Sequence, residues 1–279
     1  MIVAGIQIKV SRDSKTENLR KAEEFVRKAA REGAKIVCLQ EYFATGSFTR
    51  ERNIKYFDLA ETIQGDTISR MSKLAKEEGI CLIVPIFEKD DEIPGRYYNS
   101  AVVIDDNGKT LGRYRKQFIA ESQACEKYYF SPGNLGTPVF EFDDVCFGIA
   151  ICYDRHFFEI TRIIVLRGAH IIFIPTATYR PKSRANFWRN ELITLAAVNG
   201  IYVMGINSTG FQDGKDQFGE STLVDPSGRV MSSLEEEEGF ICGDVSAEIV
   251  TQARIDLPLL RDYRKEVLEE LWNLYQKKI

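Results

Sequence analysis

Val145-Cys146-Phe147-Gly148-Ile149-Ala150-Ile151, followed at once by Cys152-Tyr153-Asp154-Arg155-His156, is the stretch on which the reading of this chain turns. A short uncharged run bounded by polar residues has the length and composition of a fully buried strand. The apolar-periodic segment beyond it, 159–167, reads as a helix, so a sharp turn separates the two. A thiol on such a turn is held rigidly yet faces a ligand, which is the position of a covalent nucleophile. The strand-turn-helix unit itself points to an α/β fold.

The same unit recurs on both sides. Residues 2–8 read as a strand and 16–31 as a helix, with Leu19, Ala22, Val26 and Ala29 on one face and Gly33 as its stop. A strand at 35–40 follows, then a helix at 66–78 opened by Asp66, carrying Ile68, Met71, Leu74 and Ala75 inward and closed by Gly79. Strands at 80–87, 99–105 and 110–115 complete the first half. The second half repeats the plan with strands near 138–142 and 145–151, a helix at 159–167, a strand at 170–175, a helix at about 184–199 and a strand at 201–207. Strands near 219–225 and 239–245 end it. The turn Asp105-Asp106-Asn107-Gly108 is echoed by Asp225-Pro226-Ser227-Gly228, each between β-rich flanks. Two βαβα units, each with a hairpin, predict pseudo-symmetric halves within one domain over 1–261. Beyond it, 262–279 is charged and amphipathic, with Tyr263, Val267, Leu268, Leu271, Trp272 and Tyr275 at helical intervals. So much apolar surface after the fold is complete calls for a partner, and the expectation is a homo-oligomer contact.

Two more strands end on a charge. Glu41 closes Ile36-Val37-Cys38-Leu39-Gln40, and Lys116 closes Leu111-Gly112-Arg113-Tyr114-Arg115. Taken singly, Glu41 and Lys116 read as solvated strand ends and Cys152 as a core thiol. Together, a carboxylate, an ammonium and a thiol converging at strand ends make a hydrolytic triad.

Composition narrows the partners. With 44% hydrophobic and 28% charged residues, the 279-residue chain is an ordinary globular protein able to bury a sizeable core. A net charge of −4 and the lack of any Lys/Arg-dense stripe argue against nucleic acid, leaving a small molecule as the expected partner. The six cysteines form no CxxC pair and four of them, Cys38, Cys81, Cys146 and Cys242, lie in apolar strand-like runs, which predicts reduced thiols and a cytoplasmic location. No membrane span or signal peptide is expected. His156 and His170 are the whole histidine complement, so neither a metal nor another cofactor is expected. No GxSxG elbow or phosphate-binding loop occurs. A Cys152–His156 dyad is a weaker alternative, since a histidine on the following helix is more often a neighbour than a base.

The segments Leu39-Gln40-Glu41-Tyr42, Gly112-Arg113-Tyr114-Arg115-Lys116 and Gly148-Ile149-Ala150-Ile151-Cys152-Tyr153-Asp154 resemble, in order and interval, the three signature blocks of the nitrilase superfamily of carbon–nitrogen hydrolases. The similarity runs from the first strand to about Asp244. It implies a four-layer α-β-β-α sandwich and oligomers, dimers or dimers of dimers. It also implies a triad of Glu41, Lys116 and Cys152, with Glu126 as a supporting glutamate that positions substrate and lysine. In that chemistry Glu41 takes the thiol proton and returns it to the departing nitrogen. Lys116 and the backbone N–H of Tyr153 steady the oxyanion, and water cleaves the covalent intermediate.

The stretch Glu126-Lys127-Tyr128-Tyr129-Phe130-Ser131-Pro132-Gly133-Asn134 is similar to a block of the carbamoyl-hydrolysing branches, implying a ureido substrate cleaved to amine, carbon dioxide and ammonia. Arg155 and His156 are candidates to bind a substrate carboxylate, since guanidinium grips carboxylate through two parallel bonds. The structural alternative is that Arg155 caps the next helix or pairs with Glu159. Arg180, with Lys182, is a further substrate-binding candidate. Two departures from the family pattern, Phe158-Glu159 in place of a Pro-Glu pair and the replacement, within Lys116-Gln117-Phe118, of the histidine usual after the lysine, touch pocket edges. An amidase or nitrilase on a small amide or nitrile is the second expectation, and a non-catalytic oligomeric scaffold the third.

Overall fold

The computed structural model describes residues 1–121, 124–179, 187–212 and 215–278. The strands are β1 (Ile2–Gln7), β2 (Ile36–Leu39), β3 (Cys81–Lys89), β4 (Tyr97–Ile104), β5 (Thr110–Arg115), β6 (Val139–Phe142), β7 (Val145–Ile149), β8 (Ile171–Pro175), β9 (Tyr202–Ile206), β10 (Thr209–Gln212), β11 (Lys215–Phe218), β12 (Thr222–Val224), β13 (Val230–Ser233) and β14 (Gly239–Asp244). The helices are α1 (Lys15–Arg31), α2 (Asp66–Glu78), α3 (Glu126–Tyr129), α4 (Phe158–Leu166), α5 (Phe187–Asn199), α6 (Ala247–Asp256) and α7 (Lys265–Lys278), with 3-10 turns besides.

One sheet runs β14-β1-β2-β3-β4-β5 and the other β13-β12-β9-β8-β7-β6. In each, three parallel strands are flanked by antiparallel ones: β1, β2 and β3 correspond to β7, β8 and β9, while β4 and β5 correspond to β12 and β13. The expected pseudo-symmetry is therefore present in strand direction as well as in order. It extends to the crossovers: β6, which follows β5, pairs antiparallel with β7 of the second sheet, and β14, which follows β13, pairs antiparallel with β1 of the first.

Strand alternation builds four layers. Ile36, Cys38, Ile171 and Phe173 point into a core between the sheets, together with Val3, Phe147, Ile149, Met204 and Ile206. Their neighbours Val37, Leu39, Ile172 and Ile174 point outward, the first pair onto α1 and α2 and the second onto α4 and α5. Because both faces of each sheet are covered, the strands read as unbroken apolar runs rather than as alternating ones. The sheets touch closely: a Cβ added to Gly5 of β1 would lie 2.6 Å from the Ile206 side chain of β9.

The expected helix near 184–199 is observed as α5, its first residues lying outside those described. Several elements exceed the sequence expectation: the ribbon β10–β11, strand β13 and helices α3 and α6. The ribbon is polar and Gly-containing, and α6 buries only Val250, so neither carries a strong apolar period. Among the described residues no helix is long and apolar enough to cross a membrane, and no cluster of His, Cys, Asp and Glu is arranged to hold a metal ion.

Candidate active site

Parallel strands whose carboxyl ends lie at one edge leave a crevice there for a ligand. Glu41 lies two residues past β2, Lys116 directly past β5 and Cys152 three residues past β7. The chain is turned sharply at two of these points: Tyr42 has φ 56° and Cys152 φ 48°, in the left-handed region that side chains other than glycine seldom occupy. Each such residue costs about 1–2 kcal/mol, so surrounding contacts must hold it.

At Cys152 the holding contacts are specific. Asp154, wholly buried, accepts from the N–H of Ile151 (3.0 Å) and the hydroxyl of Tyr114 (2.7 Å), and with its other oxygen from the N–H groups of Gln117 (3.2 Å) and Phe118 (2.8 Å). One carboxylate thus ties the turn around the thiol to the segment just after Lys116. Burial raises the Asp154 carboxyl to about 6, against the pull of those donors and of Lys116. From the other side, Arg155 Nη1 donates to the carbonyl oxygen of Cys152 at 2.6 Å.

Lys116 is wholly buried, and its backbone is clamped on both sides, its N–H donating to Asn99 and its carbonyl accepting from Gly133, each at 2.8 Å. A Cβ on Gly133 would stand 2.1 Å from the carbonyl oxygen of Arg115, so glycine is needed for this approach. The ammonium donates to Glu41 Oε1 (3.1 Å) and to both oxygens of Glu126 (3.0 and 2.8 Å). Burial works to lower its pKa, but the charges of Glu126 and Glu41 outweigh it and raise the pKa, keeping the amine protonated. Glu126 is raised by burial and by Glu41, with Lys116 opposing.

Glu41 itself is fixed from three directions. Asn99 Nδ2 donates to its Oε1 at 2.7 Å, and the N–H of Ala177, beyond β8 of the second sheet, donates to its Oε2 at 2.9 Å. Gln40 exchanges two hydrogen bonds with the backbone of Ile8, anchoring the residue before it. Asn99 Nδ2 also reaches the Tyr42 hydroxyl (3.1 Å), which in turn donates to Glu126 (3.1 Å).

The half-buried Cys152 lies close enough to Glu41, Lys116, Arg155 and Glu126 for all four charges to act on its thiol. Burial, with Glu41 next, pushes that thiol up to about 12. At neutral pH the resting sulfur carries its proton, and an attack on carbon requires a nearby base. Tyr153 is the second residue of the 3-10 turn Cys152–His156, where the first N–H groups have no acceptor within the helix.

Structure thus brings Glu41, Lys116, Glu126 and Cys152 together. It gives Arg155 and His156 other partners: Arg155 Nε and His156 Nδ1 both bind Glu191 of α5, at 2.8 and 2.6 Å, so Glu191 takes the place expected of Glu159. Arg180 and Lys182 lie outside the described residues. Asp154, Asn99, Tyr42, Ala177 N–H and Glu191 join the site without having been singled out. Asp154 and Tyr42 sit inside quoted signature blocks, but Asn99 and Glu191 carry no local sequence signal.

This arrangement suits attack on an amide-like carbonyl, and the comparisons agree. The carbon-nitrogen hydrolase family pattern matches residues 2–265. An N-carbamoylputrescine amidase of Oryza sativa subsp. japonica is 31% identical over 288 residues, covering 98% of this chain and 94% of that protein. A citrullinase of Francisella tularensis is 32% identical, covering 98% of each. A carbon-nitrogen hydrolase structure from Helicobacter pylori G27 superposes with a TM-score of 0.90 at 26% identity, covering 97% of both chains. With pattern, full-length relatives and fold in accord, the chain belongs to the carbon–nitrogen hydrolase family and is an enzyme that hydrolyses amide-type bonds.

Proposed function

We propose that the protein hydrolyses an N-carbamoyl (ureido) amine or amino acid to amine, carbon dioxide and ammonia, with Cys152 as a covalent nucleophile. The observation that carries this reading is that Cys152 is held at φ 48° close to Lys116, whose ammonium is braced between Glu41 and Glu126. In this reading Glu41 accepts the Cys152 proton as sulfur bonds to the carbonyl carbon. The oxyanion is met by the Lys116 ammonium and the Tyr153 N–H. Collapse expels the amine, protonated by Glu41, and leaves a carbamoyl group on sulfur. Glu41 then deprotonates water, whose attack releases carbamic acid and returns the proton to sulfur; carbamic acid breaks down to carbon dioxide and ammonia. Glu126 keeps the lysine in place. The ureido preference rests on the Glu126–Asn134 block and on relatives named for a carbamoyl amine.

Six free cysteines suit a reducing compartment such as the cytoplasm. Helix α7 buries none of its residues, and Trp272 is 63% exposed, which supports a homo-oligomer contact through residues 262–279. Sedimentation of a chain ending at residue 261 tests that contact.

The test of function is ammonia release from a panel of ureido compounds, primary amides and nitriles, run beside Cys152→Ala. The expected result is fastest release from a ureido compound and none from the variant. Faster release from a simple amide or nitrile moves the substrate to the amidase or nitrilase class, and an active variant removes the thiol mechanism.

A further inference from the structure

Arg50 and Lys215 close on a single ring. The Arg50 guanidinium carbon lies 4.3 Å from the centre of the Tyr179 ring and the Lys215 ammonium 3.9 Å from it, so the two charges are no farther apart than the sum of those distances. Both side chains are half-buried, and among the described residues neither has a carboxylate within ion-pair distance. A ring face attracts one cation; a second beside it adds like-charge repulsion that an anion would relieve.

Three chain connections put this cluster on the rim of the active site. Tyr179 is two residues from Ala177, whose N–H holds Glu41, and the intervening Thr178 is tied to Asn207 at 2.9 Å. Arg50 adjoins Thr49, whose carbonyl accepts from the N–H of Cys125, the residue before Glu126, at 2.7 Å. Lys215 shares a face of β11 with Gln217, and Gln217 donates to Ser47 in the loop leaving Glu41 at 2.7 Å, while Asp216 alternates to the opposite, exposed face. The cluster is therefore bounded by the segments that carry Glu41 and Glu126.

The cations that act on the thiol, Lys116 and Arg155, are already engaged, Lys116 by Glu41 and Glu126. Arg155 is 6% exposed and bound to Glu191 and to the carbonyl of Cys152. A substrate carboxylate needs a different anchor.

We propose that Arg50 and Lys215, oriented by Tyr179, form a carboxylate subsite that selects substrates bearing an anionic group at the end remote from the scissile carbonyl. This rests on the amide-type hydrolysis assigned to the site above and narrows the ureido reading to carbamoyl amino acids.

The experiment compares kcat/KM for N-carbamoyl-β-alanine with that for its uncharged analogue n-propylurea, and for the cationic N-carbamoyl diamine, in wild type and in the double variant Arg50→Gln/Lys215→Gln. The wild-type ratio of acid to uncharged analogue is expected to be about tenfold or more, the scale of a hydrogen bond to a charged group, and to fall toward one in the double variant, with KM carrying the change. Lys215→Glu is expected to shift preference toward the cationic compound. A wild-type ratio at or below one, or a ratio unchanged in the double variant, overturns the subsite. If no ureido compound releases ammonia, the ureido reading fails by itself. The subsite is then judged by the same ratio for succinamate against butyramide. Calorimetry with Cys152→Ala reads binding without turnover: the acid should bind about tenfold more weakly once both cations are gone. Equal binding overturns the proposal.

Discussion

The guanidinium of Arg155 donates to the carbonyl oxygen of Cys152, three residues before it, and the same side chain is held by Glu191 from α5. The contact fixes the backbone of the turn that displays the thiol, and Trp188 backs the guanidinium with its ring centre 5.1 Å away. Arg155 is in this sense a positioning residue. Arg155→Met should lower kcat about 10- to 100-fold, the scale of a lost charge-assisted hydrogen bond, with KM nearly unchanged and the loss shared by acidic and neutral substrates. Glu191→Gln should give a smaller loss of the same kind. An effect confined to KM for acidic substrates would instead make Arg155 a substrate ligand.

Lys116 separates two buried carboxylates, and its removal differs from theirs. Lys116→Met leaves Glu41 and Glu126 facing each other without a cation. Breaking such a buried pair costs about 3–5 kcal/mol, so urea unfolding should show a large loss of stability along with loss of turnover. Glu126→Gln keeps an oxygen for the Tyr42 hydroxyl or the Ala120 N–H and leaves Lys116 paired with Glu41. It should lose activity while remaining much closer to wild type in stability. Equal destabilisation by the two variants would contradict this account of the network.

The parts legible in the sequence are those with local causes. Strand and helix positions follow from apolar period, so α1 and α2 match their expected spans to within a residue or two, although Asp66, expected as the N-cap of α2, is its first residue and Gly65 is the cap. Glu41, Lys116 and Cys152 stand out because each follows the end of a strand-like run. The bracing groups do not, since their roles depend on tertiary placement. Asn99 lies on β4 and reaches Glu41, just past β2, because only β3 separates those two strands in the sheet, and Glu191 is 35 residues from His156 in sequence. The crossing of β14 into the first sheet is likewise invisible locally. Its residues alternate like those of any edge strand.

The resting thiol gives a pH signature. A free cysteine near 8.5 levels off in alkylation rate once it is ionised. Cys152, pushed up to about 12 by burial and by Glu41, should react with iodoacetamide at a rate that keeps rising through pH 10. Rates followed by mass spectrometry at Cys152, from pH 6 to 10, provide the check. A plateau below about pH 8 would mean that the sulfur is already a thiolate in the resting enzyme.

Asp154 makes the nucleophile turn a source of pH-dependent stability with an unusual sign. Its carboxyl sits at about 6 in the folded protein against an ordinary value of 3.8, because burial outweighs the donors around it. Between those values the folded state retains a proton that the unfolded chain has released. Stability from this group is therefore fully present below about pH 4, falls as pH rises toward 6, and stays low above it. The shift corresponds to about 3 kcal/mol in all. Carboxylates with lowered values, such as Glu61 and Asp225, act in the opposite direction, losing stability as pH falls. The contribution of Asp154 is isolated by comparing wild type with Asp154→Asn in urea at several pH values. The stability of wild type relative to the variant should decline between pH 4 and 6 and then level off. Parallel curves would show that Asp154 is ionised throughout and that the four donors on it, rather than burial, set its charge.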